Sequence, residues 1–154
     1  MSGALMAVDV GSVRIGVAVA EAGTSLAMPV ETLARGDGDI ERISAIARER
    51  GADRVFVGDP LRLSGEVGPA AREARAFAAA LAQALPEAEV RMIDERLTTA
   101  VSNRSLAAAG RNTRNARKVV DQAAAVAILQ NAIDTESATG VAAGAVVPTR
   151  GSGT

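Results

Sequence analysis

A single carboxylate interrupts a long apolar stretch near the N-terminus. Residues 5–20 read LMAVDVGSVRIGVAVA, with Asp9 inside the first of two Val-rich runs. The two runs flank Gly11, Ser12 and Val13 and predict a β-hairpin. An unpaired carboxylate in the interior of a sheet costs several kcal/mol. Asp9 is therefore expected either to lie on a solvated edge strand or to hold a cation.

Further along the chain, strand and helix patterns alternate, which is typical of an α/β fold. Strands are predicted over 28–33, 54–58 and 90–93, and helices over 39–50, 69–85, 98–109 and 119–134. Together with the hairpin, these segments predict a five-stranded mixed sheet flanked by helices. Residues 1–134 are expected to form a single domain. Residues 135–154 contain Gly, Ser, Thr and Pro without periodicity, so a disordered C-terminal tail is expected there.

Several residue types are missing, and their absence narrows the possible chemistry. The chain has no His and no Cys, so alone it cannot build a Ser-His-Asp triad, a thiol nucleophile or an ordinary zinc site. It has no Tyr or Trp and only two Phe residues, so it offers no aromatic platform for stacking bases. Metal–carboxylate chemistry is the leading interpretation by elimination.

The composition also bears on location. There is no run of about 18 apolar residues, so no membrane span and no membrane partner are expected. The N-terminus has no basic region followed by an apolar one, and the lack of Cys is consistent with a reducing compartment. A cytoplasmic location is expected.

Three acidic positions combine into a candidate metal site. Asp9 is the first, and Asp94 and Glu95 directly follow the predicted strand VRMI, where ligand groups collect in open α/β sheets. Asp121 shares a helical stripe with four small or apolar residues: Ala124, Ala125, Ile128 and Ala132. If one sheet brings these acids to one edge, they repel each other unless a divalent cation is bound. Mg²⁺ or Mn²⁺ accepts such oxygen ligands and supports phosphodiester hydrolysis.

Each of these acids also has a structural alternative. Asp94 can cap the helix that follows, and Glu95 can be solvated. Asp121 can be an acid near a helix N-terminus, where the helix dipole favours negative charge.

The segment between Glu95 and Asp121 is strongly basic. It contains no acid and six basic residues: Arg96, Arg104, Arg111, Arg114, Arg117 and Lys118. The whole chain has a formal net charge of −1, so the positive charge is local. Most charge runs are solvated faces, but this run joins two of the suspected metal ligands, where a polyanion would meet it.

Four motifs follow one another along the chain, between about residues 5 and 134: DVGSVRIGVAVA, VGDPLRLSGEVG, IDERLTTAVSNRSL and KVVDQAAAVAILQNAID. In this order they resemble the YqgF family of RuvC-like nucleases. The resemblance implies a ribonuclease H-like fold in which the first strand is central, so that Asp9 holds metal. It also implies Asp9, Glu95 and Asp121 as the catalytic, metal-binding acids, with Mg²⁺ or Mn²⁺ as the cofactor.

The resemblance further implies a divalent-metal-dependent nuclease in which a water activated by the metal attacks the phosphodiester. The family is proposed to process the 5′ end of precursor 16S ribosomal RNA, whereas related resolvases cut four-way DNA junctions. Structured RNA and a DNA junction both remain as expected partners, and monomer and homodimer both remain open. The expected contacts to nucleic acid are Arg14, Thr98, Thr99, Arg104, Arg111, Arg114, Arg117 and Lys118.

One residue departs from the family pattern. The family usually has an apolar residue between Gly58 and Pro60, where this chain has Asp59. Asp59 is either a fourth metal ligand or, more simply, a turn acid before Pro60.

Two other functions stay open at this point. The stretch DVGSVRIG also resembles the first phosphate loop of sugar-kinase and actin-like ATPases, but those enzymes close two such domains around a nucleotide, and 154 residues provide one. The other is a non-catalytic nucleic-acid-binding or ribosome-assembly module with the same fold. ATP-dependent turnover would favour the first, whereas cleavage lost on metal chelation with binding retained would count against the second.

Overall fold

The computed structural model describes residues 3–62, 64–95 and 113–148, with side chains described from residue 122 onward in the last range. Within these ranges the elements are β1 (Ala4–Val10), β2 (Arg14–Ala20), β3 (Met28–Ala34), α1 (Asp39–Arg50), β4 (Ala52–Asp59), α2 (Pro69–Ala84), β5 (Glu89–Asp94), α3 (Thr113–Thr139) and β6 (Ala145–Val146). None of the helices in this part of the chain combines the length and apolar character needed to span a membrane.

The described strands form one mixed sheet in the order β3-β2-β1-β4-β5-β6. β1 is antiparallel to β2 and parallel to β4, and β5 continues the parallel part of the sheet. β3 and β6 pair antiparallel at the two edges. The predicted α/β architecture is confirmed, and the two-residue strand β6 is added to the five predicted strands.

The sheet separates two apolar layers. On one face, Met6 and Val8 of β1 pack in a cluster with residues of α1 and α2. On the other face, Ala7 of β1 packs with Ile128 and Leu129 of α3. We refer to these as the α1–α2 face and the α3 face. Because successive side chains of a strand point to opposite sides, neighbouring residues in β1, β4 and β5 serve different layers.

Helix α3 lies on the sheet through the stripe that the sequence predicts. Ala124, Ala125, Ile128 and Ala132 are all buried, each with at most 1% of its surface exposed. Three of these four residues are alanines, and on the sheet they meet small residues such as Ala7 and Ala18. Such small side chains on both surfaces allow the helix backbone to come close to β1 and β2.

The C-terminal segment differs from the disordered tail expected from residue 135. Helix α3 continues to Thr139, and Ala145 and Val146 pair with Met92 and Arg91 of β5. Backbone hydrogen bonds to a sheet edge account for this order, and composition does not reveal them. Residues 149–154 of the expected tail lie outside the described residues.

Arg91 attaches this segment to the sheet. Its guanidinium donates hydrogen bonds to the carbonyl oxygens of Ala143 (2.7 Å) and Gly144 (2.9 Å). The Val147 amide donates to the Val90 carbonyl at 2.7 Å. The segment thereby covers the hydrogen-bonding edge of β5, which would otherwise be open to pairing with another chain.

Replacing Gly144 with Ala should destabilise the protein more than replacing Gly140 with Ala. Both glycines have φ of +77°, so either alanine costs about 1–2 kcal/mol in the left-handed region. A Cβ on Gly140 meets nothing within 4 Å, whereas a Cβ on Gly144 overlaps the carbonyl oxygen of Met92. Chemical denaturation should therefore show the larger loss for Gly144→Ala. Equal losses would mean that the close approach to β5 has no energetic importance.

Candidate active site

Asp9 lies in the middle of the sheet. β1 is paired with β2 on one side and β4 on the other, and Asp9 is only 8% exposed. The edge-strand interpretation of this acid is therefore wrong, because β1 has no free edge. A buried carboxylate in a central strand needs a cation or strong hydrogen-bond donors to offset its desolvation.

A glycine lies beside Asp9 on each neighbouring strand. Asp9 is opposite Gly16 of β2, and the pairing of Val8 with Val57 puts Gly58 of β4 next to Asp9 on the other side. Neither neighbour has a side chain to fill the space flanking the carboxylate. Side chains from other parts of the chain can therefore enter this space, and on the Gly58 side they do.

Glu95, the residue directly after β5, reaches the same place. A Cβ built on Gly58 would lie 2.5 Å from Oε2 and 3.0 Å from Cδ of Glu95, so this carboxylate lies over Gly58. Side-chain alternation puts Asp9 and Gly58 on the α3 face, because Ala7 and Phe56 two residues earlier pack in that layer. The structure therefore brings Asp9 and Glu95 to one face of the sheet, at the end where the parallel strands β1, β4 and β5 finish.

The third predicted ligand, Asp121, belongs to helix α3, which covers this face. Its side chain lies outside the described residues. Among the side chains that the structure does describe, no group of three acids is placed to hold a metal ion. The three-acid site thus stays a prediction, for which Asp9 and Glu95 provide two oxygen donors of the kind that Mg²⁺ and Mn²⁺ prefer.

Asp59 lies on the opposite face of the sheet, where it is bound by an arginine of α2. It is 6% exposed and accepts hydrogen bonds from Arg75 of α2, at 2.7 Å from Nη2 and 3.2 Å from Nε to Oδ2. These hydrogen bonds raise the pKa of Arg75 above its usual value, so the guanidinium stays charged. The contact supports the simpler interpretation of a structural acid before Pro60 and argues against a fourth metal ligand.

Asp94 lies on the same side as Asp59, because the two are partners in the register of β4 and β5. Both line a surface cavity of about 500 Å³ together with Arg75 and the C-terminal segment. This cavity is on the α1–α2 face, away from Asp9 and Glu95. The two acids after VRMI are thus divided between the two faces of the sheet.

The hairpin turn after Asp9 is held by a residue that the sequence does not single out. Arg35 donates a hydrogen bond from Nη1 to the Gly11 carbonyl at 2.8 Å, and its amide donates to the Val13 carbonyl at 2.9 Å. The guanidinium also lies over the ring of Phe77, 5.8 Å from the centroid. These contacts depend on the fold alone, since no local pattern links position 35 to the turn.

The predicted contacts to nucleic acid are only partly described. Arg14 begins β2 beside the end of β1, at the same edge as Asp9. Arg114, Arg117 and Lys118 belong to the N-terminal part of α3, without described side chains. The other predicted contacts lie outside the described residues: Thr98, Thr99, Arg104 and Arg111.

Curated relatives match nearly the whole chain. A protein of Thermobifida fusca (strain YX) is 48% identical, covering 95% of this chain and 96% of its own length. One of Nocardioides sp. (strain ATCC BAA-499 / JS614) is 47% identical, covering 95% and 97%. Both are named "Putative pre-16S rRNA nuclease".

Solved structures show the same fold. The RuvC structure of Thermus thermophilus matches with a TM-score of 0.54 and 17% identity, covering 92% of this chain and 99% of that one. T. thermophilus RuvC in complex with a Holliday junction substrate matches with a TM-score of 0.52 and 14% identity, covering 94% and 99%. At this identity the likeness supports the fold alone, which is the predicted RuvC-like, ribonuclease H-like one.

A family model described as "RuvX: Holliday junction resolvase" matches residues 3–135, the part of the chain that contains Asp9, Glu95 and Asp121. Those residues include the whole described sheet except β6. The YqgF-type resemblance in the four sequence motifs is thereby confirmed. With its RuvC-like fold and its nuclease relatives, the chain belongs to the RuvX family and is a phosphodiester-hydrolysing nuclease.

Proposed function

We propose that this nuclease depends on a divalent metal ion, Mg²⁺ or Mn²⁺, and that its substrate is the 5′ region of precursor 16S ribosomal RNA. The observation that supports metal dependence is the placement of Asp9 and Glu95 on one face and one edge of the sheet, with Gly58 between them. The relatives' names support the substrate. Because bacterial precursor rRNA is made and processed in the cytoplasm, this substrate implies a cytoplasmic enzyme.

The ion would be held by Asp9 and Glu95, with Asp121 of α3 as the proposed third ligand. When bound, a divalent cation lowers the pKa of water and stabilises the negative charge that develops on the phosphate. Asp9 is held by the central strand β1, and Glu95 directly follows β5, which is paired on both sides. Residues 1–134 are proposed to form the single domain that carries this activity.

Binding of the substrate is assigned to the basic side of the site. Arg14 lies at the edge where β1 ends, and the segment between Glu95 and Asp121 contains six basic residues. Guanidinium groups bind phosphate oxygens, and such contacts set position rather than sequence preference. The proposed contacts are Arg14, Thr98, Thr99, Arg104, Arg111, Arg114, Arg117 and Lys118.

A DNA four-way junction is the second candidate substrate, and the description of the matching family favours it. Cleavage of precursor 16S rRNA and of a junction should be measured side by side in Mg²⁺ and in Mn²⁺, with the molar mass determined on the same sample. Preferential cleavage of the RNA supports the proposal. Paired, symmetric incision of the junction by a dimer would support the second candidate instead. Binding without cleavage of either substrate would indicate a non-catalytic module.

Replacing Asp9 with Asn should abolish metal-dependent cleavage without unfolding the protein. The amide keeps the shape of the side chain but removes the charge that attracts the ion, so Mn²⁺ affinity and cleavage should fall by orders of magnitude. Without the ion, the variant should be as stable as the wild type or slightly more stable, because repulsion between the acids is relieved. Calorimetric titration with Mn²⁺, a cleavage assay and thermal unfolding measure the three effects.

Asp59→Asn is the matched control for this experiment. It removes the same charge from another buried strand residue, but on the α1–α2 face. Mn²⁺ affinity should stay unchanged, while the free energy of unfolding should fall by about 1–2 kcal/mol because Arg75 loses a charged hydrogen-bond acceptor. Full cleavage activity of Asp9→Asn would refute the metal-ligand role of Asp9. A loss of Mn²⁺ binding in Asp59→Asn would restore Asp59 as a ligand.

Replacing Arg114 and Arg117 together with Ala should weaken nucleic-acid binding and reduce its dependence on salt. Each phosphate contact releases counterions, so the slope of log affinity against log salt should flatten by roughly 1.8 on a duplex or 1.4 on a single strand. The loss should be similar for all sequences, because phosphate contacts carry no base information. Mn²⁺ affinity should be unaffected, since neither arginine can be a ligand.

The double variant Arg42→Ala with Arg48→Ala is the control, because it removes the same number of positive charges from a different surface. These two arginines of α1 bond to Glu31 and Glu87 on the exposed surface, so the salt slope should not change. Asp121→Asn should show the reverse pattern, with metal binding lost and nucleic-acid affinity kept or improved. An unchanged slope for the Arg114 and Arg117 variant would identify the segment as a solvated face.

A further inference from the structure

Gly58 occupies a position where a strand would ordinarily have a side chain. It lies near the end of β4 and is buried, and glycine weakens a strand because it contributes no packing. Its backbone does not require glycine, since Gly58 is absent from the glycines with positive φ. The reason for a glycine here therefore lies in what surrounds it.

Two side chains occupy the space above Gly58. The Glu95 carboxylate would meet an added Cβ at 2.5 Å from Oε2, and the δ-methyl of Ile128 in α3 would meet it at 2.7 Å. Real Cβ atoms do not approach other atoms this closely, so even a methyl group would push one or both away. Both contacts involve the ends of flexible side chains rather than backbone. An alanine at this position should be accommodated by movement of those ends, with the fold retained.

The displaced group matters because of its neighbour. Gly58 is next to Asp9 across the β1–β4 pair, so the carboxylate that lies over Gly58 is directed across β4 towards the strand of Asp9. Functional groups in such a site need to be held within about 0.5 Å of their working positions. Moving the Glu95 carboxylate off Gly58 should therefore disturb a site that includes Asp9, while leaving distant contacts such as Asp59 with Arg75 intact.

We propose that Gly58 is a positioning residue for Glu95. Because β4 has no side chain at this position, the Glu95 carboxylate can lie over the strand and join Asp9 in holding the metal ion. This inference rests on the proposed metal dependence of the site. It assigns a role to Gly58 that acts through Glu95 and not through contact with the substrate.

A double-mutant cycle tests the inference. Mn²⁺ affinity should be measured by calorimetric titration for the wild type, Gly58→Ala, Glu95→Gln and the double variant. Gly58→Ala should weaken Mn²⁺ binding by roughly tenfold to a hundredfold, the usual effect of disturbing the support of a metal ligand. In the Glu95→Gln background, the same alanine should cause no further loss, because the carboxylate that it would displace has already been replaced by a neutral amide. Circular dichroism should show that Gly58→Ala remains folded.

Trimming Ile128 separates the two contacts. Ile128→Val removes the δ-methyl that would meet a Cβ at position 58. The contact between that Cβ and the Glu95 carboxylate remains. Adding Ile128→Val to Gly58→Ala should therefore leave Mn²⁺ affinity weakened. Full recovery would show that displacement of α3 causes the loss, which would overturn the inference.

The remaining outcomes distinguish this inference from the proposed function. If Glu95→Gln weakens Mn²⁺ binding while Gly58→Ala does not, the metal site stands and the role of Gly58 is refuted. The role is equally refuted if Gly58→Ala costs the same affinity with and without the Glu95 carboxylate. If Glu95→Gln leaves Mn²⁺ affinity unchanged, the metal role of Glu95 fails, and the role of Gly58 fails with it.

Discussion

The burial of a carboxylate in the central strand is the constraint on which the rest of the site depends. Asp9 has a strand on each side and is 8% exposed, so its charge is removed from most of the solvent. The surrounding chain contributes glycines on both neighbouring strands, a second acid above one of them, and a helix that closes the face. An apolar residue at position 9 would be better for stability alone. The acid agrees with the proposed role of Asp9 as a metal ligand near the end of this strand.

The alternation of side chains then divides the residues at the ends of β4 and β5 into two sets. Gly58 and Glu95 belong to the α3 face, while Asp59 and Asp94 belong to the α1–α2 face. Asp59 forms an ion pair with Arg75 of α2, and this pair connects the end of β4 to that helix. Adjacent residues of one strand thus make different contacts: Asp59 pairs with Arg75 of α2, and Gly58 lies under the Glu95 carboxylate on the other side.

Local patterns account for what the sequence could predict. The Val-rich runs of β1 and β2, the apolar spacing of α1 and the buried stripe of α3 are periodic, so their positions could be predicted from residues 5–20, 39–50 and 119–134. What could not be predicted depends on contacts between distant parts of the chain. Arg75 is 16 residues from Asp59, and Arg91 is 52 residues from Ala143. The order of the segment around β6 follows from such backbone contacts, and its Gly-rich composition gave no sign of them.

The two aromatic residues of the chain restrict how a nucleic acid can be recognised. Phe56 is buried in the α3 layer and Phe77 in the α1–α2 layer, and the sequence has no Tyr or Trp. Bases therefore cannot be recognised by aromatic stacking, which favours recognition through the backbone and through shape. The basic segment starts directly after Glu95 and ends directly before Asp121. The two ends of this segment thus adjoin the proposed metal ligands, so phosphate binding by its arginines, as proposed, would couple where the nucleic-acid backbone is bound to where it is cut.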